Sequence, residues 1–302
     1  ALAGSGGVAL AGIGVVSAAY ATKGEEWSYA SATAGNAEAY WVDARDDLTG
    51  TVSNSGTVDG LAVGGADSTA RAFKFGLGIG TGNHLVSSSV GAVVSAYAGG
   101  AYAYGISAGN DIGTVDNSGV LNVTAYGGDF GYASAIAAVA VAGNYVSVGF
   151  DRSVHQSAIA VVGQAAAYGV DAGADLSNVT NGGTINVLAV AGSPTLVHAA
   201  AYASIAFNAY GTASVSGNVH ASGGGAEAYG IYAAGDLTDL GNSGTINVSA
   251  VGGFGALGYA SAGFDFAFGY MSASVDVSLE MDVGKATAVG IEADGSLGGT
   301  LT

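Results

Sequence analysis

One passage returns along the chain. Tyr104-Gly105-Ile106 is followed by Asp111-Ile112 and Asn117-Ser118-Gly119, then come Tyr168-Gly169-Val170 with Asp175-Leu176 and Asn181-Gly182-Gly183, then Tyr229-Gly230-Ile231 with Asp236-Leu237 and Asn242-Ser243-Gly244. A degraded copy precedes these (Tyr40-Trp41-Val42, Asp47-Leu48, Asn54-Ser55-Gly56) and a truncated one follows (Val289-Gly290-Ile291, then Ser296-Leu297). The steps between the Tyr positions are 64, 64, 61 and 60 residues. A fixed period of this kind marks stacked units that bury their apolar faces against neighbours, rather than one globular core. The units divide the chain as 1–33 (partial), 34–97, 98–161, 162–222, 223–283 and 284–302 (partial), one continuous array.

Within a unit the pattern has period two. Ala226-Glu227-Ala228-Tyr229-Gly230-Ile231 passes through an Asp-Leu corner into Gly-Thr-Ile-Asn-Val, and from Met271 to Val283 the odd positions are mostly apolar while Ser, Asp and Glu hold even ones. Such alternation reads as strands with one buried and one wet face. No stretch carries a capped stripe at helical spacing, and Gly interrupts the Ala-rich runs. The chain is therefore read as all-β, a parallel β-helix of repeats about 60–64 residues long. Half the residues are hydrophobic and mostly small, with 54 Gly and one Pro, so the interior must be narrow. With coils of roughly 20 to 30 residues, each repeat is expected to supply three coils.

Two polar columns accompany the corner. Asn54, Asn117, Asn181 and Asn242 precede Ser-Gly or Gly-Gly, a pairing suited to a tight turn. Five residues on stand Asp59, Asn122, Asn186 and Asn247, inside the following strand. Such residues can satisfy backbone groups at a corner. With several coils per repeat, they would not touch their counterparts in a continuous ladder.

The string Ala-x-Ala-Tyr-Gly-Ile through Asp-Leu to Asn-Ser-Gly-Thr-Ile-Asn-Val resembles repeats in passenger regions of bacterial autotransporters and in filamentous-haemagglutinin-like surface proteins. The resemblance runs from about residue 34 to 302, the variable halves joining it by periodicity alone. It implies a β-helix displayed outside a Gram-negative cell for adhesion, aggregation or matrix building. None of residues 1–302 resembles the C-terminal barrel translocator of such proteins, so the resemblance carries no expectation of a secretion route.

Charge narrows the partners. The net charge is −17, from 23 acidic residues against 6 Lys and Arg, which disfavours nucleic acid, whose phosphates need clustered cations. There is no cysteine, hence no disulfide or thiol chemistry. No apolar run is long enough for a membrane-spanning helix, Val8 to Val16 being short and broken by Gly. Short turns and absent aromatic girdles argue against an outer-membrane barrel.

Candidates for chemistry are few. His84, His155, His198 and His220 sit at different phases of the repeat, none at short metal-ligand spacing from another. The corner acids Asp47, Asp111, Asp175 and Asp236 are weak calcium candidates. Each corner offers one or two carboxylates where calcium takes six or more oxygens, which favours a turn-forming role. Lys23, Glu25, Glu26 and Trp27 form the one cluster outside the repeat, a surface loop or a sugar contact. Gly76-Leu77-Gly78-Ile79-Gly80 lacks the strand-turn-helix context of a nucleotide site. Tyr40, Tyr104, Tyr168 and Tyr229 form either a contact stripe or core, and Ala at both parities leaves their direction open.

The expected function is a non-enzymatic, extracellular structural or adhesive solenoid without resident cofactor. Joining Thr302 to Ala1 of a second copy sets Val289 about 53 residues from the next Tyr40, near one repeat, so head-to-tail self-association is expected. A cell-surface or matrix polysaccharide is the other expected partner. The alternative is a carbohydrate-binding or carbohydrate-cleaving β-helix, which needs a patch of acids and aromatics at one unrepeated place.

Overall fold

The computed structural model describes residues 1, 8–11, 15–18, 24–81, 86–129, 131–144, 148–193, 196–206, 209–253, 257–266 and 269–301. Lys23, His84 and Thr302 lie outside the described residues, as do the side chains of Glu25 and Glu26.

One turn of the chain makes five strands: Leu48–Asn54, Thr57–Val63, Ser68–Thr81, Val86–Tyr97 and Ala101–Ala108. These open five parallel sheets, I to V in that order. Sheet I continues with Ile112–Asn117, Leu176–Asn181, Leu237–Asn242 and Thr300–Leu301, and sheet II with Val120–Tyr126, Thr184–Val190 and Thr245–Val251. Sheet III holds Val8–Ala11, Val15–Ala18, Gly131–Asn144, Leu196–Ala206 and Leu257–Phe266. Sheet IV holds Gly24–Thr33, Val148–Val161, Ala209–Ser222 and Gly269–Asp282, and sheet V holds Ala37–Ala44, Ala165–Ala172, Ala226–Ala233 and Ala286–Ala293. The fold is an all-β parallel solenoid.

The register corrects the coil count. Tyr104 pairs with Tyr40 and Tyr168, Val115 with Val52 and Val179, and Asn122 with Asp59 and Asn186, each step one whole repeat. One repeat is thus one coil rather than three. The expected coil of roughly 20 to 30 residues was too short: strands of up to 14 residues carry this chain around two separate cores.

Sheets I, II and V enclose the first core, filled by Ile106, Ile112, Leu121, Leu176, Ile185, Ile231, Leu237 and Leu240. Burying an aliphatic side chain of this size contributes about 1.5–3 kcal/mol. Sheets III and IV face each other across the second core, filled mainly by Ala and Val, such as Ala70, Ala72, Ala92, Val94, Ala133, Ala135 and Ala158. Gln156 is a large polar residue in that interior, its Nε2 donating to the Ala137 carbonyl at 3.0 Å across the two sheets, and Ser28 stands in the same column.

Glycine joins the two lobes. The chain crosses between them twice per coil, and both crossings share one column of backbone hydrogen bonds. The Gly65 N–H donates to Gly35 O, Gly99 to Gly65, Gly128 to Gly99, Gly163 to Gly128 and Gly192 to Gly163, at 2.8–3.1 Å. Gly253 and Gly284 extend the column the same way, onto Gly224 and Gly253. A Cβ on Gly99, Gly128, Gly163, Gly192 or Gly284 would fall within 3.0 Å of another backbone, so no side chain fits there.

At the last coil the alternation from Met271 to Val283 departs from expectation. Val275, Val277, Leu279, Met281 and Val283 are all exposed, because among the described residues no strand covers this edge of sheet IV. The outward residues of the same strand are exposed too.

Candidate functional site

With one coil per repeat, every repeated polar residue stands against its own counterpart. The ladder that several coils per repeat would have excluded is present. At the corner between sheets I and II, Asn54 Nδ2 donates to Asn117 Oδ1 at 2.8 Å, Asn117 Nδ2 to Asn181 Oδ1 at 2.7 Å, and Asn181 Nδ2 to Asn242 Oδ1 at 2.7 Å. The same amides reach the carbonyls of Val120 (3.1 Å), Thr184 (3.4 Å) and Thr245 (3.5 Å) in the next coil. Asn54, Asn117 and Asn181 are buried, so the ladder satisfies groups that no solvent reaches.

A second ladder runs the other way on the outer face of sheet II. Asn122 Nδ2 donates to Asp59 Oδ1 at 2.6 Å, Asn186 to Asn122 at 2.8 Å and Asn247 to Asn186 at 2.9 Å. This polarity explains the departure at Asp59: the lowest rung only accepts, and an ionised carboxylate is an acceptor without donors. Beside this ladder Asn122, Thr124, Asn186, Leu188, Asn247 and Ser249 line a shallow open groove.

The corner acids make a third ladder. Asp47 Oδ1 accepts the Asp111 N–H at 3.4 Å, Asp111 Oδ1 that of Asp175 at 3.0 Å, and Asp175 Oδ1 that of Asp236 at 2.8 Å. Asp236 Oδ1 takes both the N–H (2.7 Å) and the hydroxyl (2.8 Å) of Ser296, and these bonds hold its carboxyl below the usual carboxylate range. One oxygen of each corner carboxylate therefore closes the turn of the coil above.

The Tyr column faces outward on sheet V. Tyr40 and Tyr104 stack at 4.8 Å between ring centroids, Tyr104 and Tyr168 at 5.3 Å, Tyr168 and Tyr229 at 5.1 Å, with planes 5–8° apart. Each inner ring spends both faces on its neighbours and offers only its edge and hydroxyl outward. Burial, helped by the neighbouring ring and acids, pushes Tyr104 up to about 12, and Tyr168 is raised for the same reason. Asp171, on the same sheet, is pushed up to about 6 by burial, against a hydrogen bond from the Ser107 hydroxyl at 3.5 Å. Tyr232 closes the row at a tilt, its hydroxyl donating to Asp294 Oδ2 at 2.9 Å, which raises it to about 12.

The register also brings together residues that the sequence leaves apart. Trp27 lies over Gly91 and stacks on Tyr29 at 6.1 Å and on His155, two coils on, at 6.2 Å. His155 Nδ1 is 2.6 Å from Ser216 Oγ, and His198 stacks on Tyr259 at 5.2 Å. His220 meets Glu280 and Asp282 on the outer face of sheet IV. Only adding one coil length to each residue number, or two for Trp27 and His155, would have revealed the neighbours on different strands.

Among the described residues no helix is long and apolar enough to cross a membrane. All described strand pairs are parallel, unlike the antiparallel strands of an outer-membrane barrel. Comparison with family models, with curated proteins and with solved structures finds no match to this chain.

Proposed function

We propose that this is a non-enzymatic structural and adhesive β-solenoid of the bacterial cell exterior, whose copies stack head to tail into filaments. The observation that carries this reading is the apolar row left open on the last strand of sheet IV. Val275, Val277, Leu279 and Met281 are 44–52% exposed, whereas their register equivalents Val90, Ala92, Val94 and Ala96 are 0–3% exposed. At the opposite end the same columns carry Ser28, Ala30 and Ala32, small where the last coil is large. Sheet V presents Ala286, Ala288, Ile291 and Ala293 at one end and Ala37, Ala39, Val42 and Ala44 at the other, so a copy stacked in register continues each inward column of that sheet, whereas in sheet IV the Val275 column meets Glu26. Open strand edges of this kind template further strands.

Negative-stain imaging and sedimentation of the native protein test this. Filaments of uniform width are expected. They should lengthen as salt screens the −17 charge, and Leu279→Lys should stop their growth by placing a charge in the stacking face. Dispersed monomers at every salt concentration would overturn the proposal.

A second reading, a carbohydrate-binding β-helix, draws on the unrepeated Trp27, Tyr29 and His155 cluster, where Trp27 is 39% and Tyr29 65% exposed. A soluble polysaccharide that shifts Trp27 emission in filament-free protein would favour it. The Tyr column is a poorer sugar platform, since stacking covers its ring faces.

A further inference from the structure

The outward face of sheet IV carries one set of donors that the repeat does not explain. His220 Nδ1 stands 3.2 Å from Glu280 Oε2, and ligand atoms of His220, Glu280 and Asp282 lie within 4.8 Å of one another. All three are surface residues, two exposed and one half-buried. Their backbones are fixed by the sheet: His220 pairs with Glu280, and Ser222 with Asp282, in an unbroken parallel register from Ala209 to Ser222. Glu280 and Asp282 are two apart on one strand and so point the same way. In the other coils the His220 column holds Ser31, Ser95 and Ile159, and the Asp282 column holds Thr33, Tyr97, Val161 and Ser222. The donor set therefore occurs once, in a molecule whose structural polar residues come in columns.

We propose that His220, Glu280 and Asp282 bind one divalent transition-metal ion, of which Zn²⁺ is the representative. One imidazole and two carboxylates are the donor types that Zn²⁺ takes, and tetrahedral ligands at its usual bond lengths sit about 3.4 Å apart. The His220–Glu280 separation of 3.2 Å already matches such an edge, and rotation of the exposed Asp282 side chain closes the third position. A nitrogen donor and only two carboxylates suit calcium poorly, since it takes six to eight oxygens. The fourth position faces solvent and takes water or a donor from a neighbouring molecule. Bound there, the ion ties the open edge strand Gly269–Asp282 to the strand beneath it, Ala209–Ser222.

Calorimetric titration of the full chain with Zn²⁺, and with Co²⁺ read by its visible absorption, tests the site. One ion per chain is expected, with the intense Co²⁺ bands of a four-coordinate site. His220→Ala, Glu280→Gln and Asp282→Asn should each weaken binding at least tenfold, while excess Ca²⁺ or Mg²⁺ leaves it unchanged. Zn²⁺ should also slow amide exchange along residues 269–282, a readout independent of the calorimetry. The three substitutions lie on the outer face, so circular dichroism should match the parent chain. No binding, or equal binding by the parent and all three variants, overturns the proposal and leaves a surface His–Glu ion pair.

Discussion

Gly163→Ala is expected to lower stability by at least about 3–5 kcal/mol, a large part of what a domain of ordinary stability possesses. The added Cβ would meet Gly99 O, Gly128 N and Gly99 C, all within 3.0 Å and all backbone. Backbone in a hydrogen-bonded column cannot yield as a flexible side chain does. Relief would require the crossings at Gly99 and Gly128 to part, breaking bonds of 2.8 and 3.1 Å and separating the two cores that they join. Gly241→Ala is the control, because nothing lies within 4 Å of its Cβ position, and its effect should stay within about 0.5 kcal/mol. Urea unfolding followed by circular dichroism reads both. Equal midpoints for the two variants would show that the two lobes do not meet through a glycine column.

Asn181→Leu should cost about 2–4 kcal/mol, the second large effect. Leucine is close to asparagine in size but can neither donate nor accept. Asn117 Nδ2 would lose its 2.7 Å acceptor, and Asn242 Oδ1 and the Thr245 carbonyl would lose a donor. Asn117 and Asn181 are both buried, so water cannot replace the bond between them, and an unsatisfied buried group costs about 1–3 kcal/mol. Asn186→Leu, in the outer ladder, removes comparable bonds to Asn122 and Asn247, where solvent can substitute. Its cost should stay below about 1 kcal/mol. If thermal or urea unfolding gave the two variants the same loss, burial would not be what gives the inner ladder its strength.

The period of the Tyr, Asp and Asn columns was enough to read parallel stacking, and alternation was enough to read strands. The number of coils was not legible, because an identical residue can stand one coil or three coils away and give the same period. What resolves it is the register, in which Tyr104 pairs with Tyr40 and Tyr168, and the 14-residue strands Gly131–Asn144 and Val148–Val161 leave no room for a coil of roughly 20 to 30 residues. The direction of the Tyr column was hidden by a break in parity. The inward row of sheet V runs Ala101, Ala103, Ile106, Ala108, changing parity at Gly105, which the pairing with Ala165–Ala172 skips. Alanine thus falls on both parities while Tyr104 still points out. The glycine column escaped notice because it merges two series, Gly35, Gly99, Gly163, Gly224, Gly284 and Gly65, Gly128, Gly192, Gly253, each repeating at the coil length but offset by about half a coil, so nothing in the sequence says that they meet. The His220, Glu280 and Asp282 set lies 60 residues apart in the chain and becomes local only once a repeat is known to be one coil.

That equivalence of repeat and coil is the central claim, and a spin-label distance tests it directly. The chain has no cysteine, so Glu38→Cys with Thr287→Cys gives a clean pair of labels. Both lie on sheet V, four register steps apart through Tyr102, Ala166 and Glu227. At about 4.8 Å per coil, one coil per repeat places their backbones about 19 Å apart. A distribution centred near that value is the expected result. A distance near 58 Å, three coils to each repeat at the same rise, would contradict it.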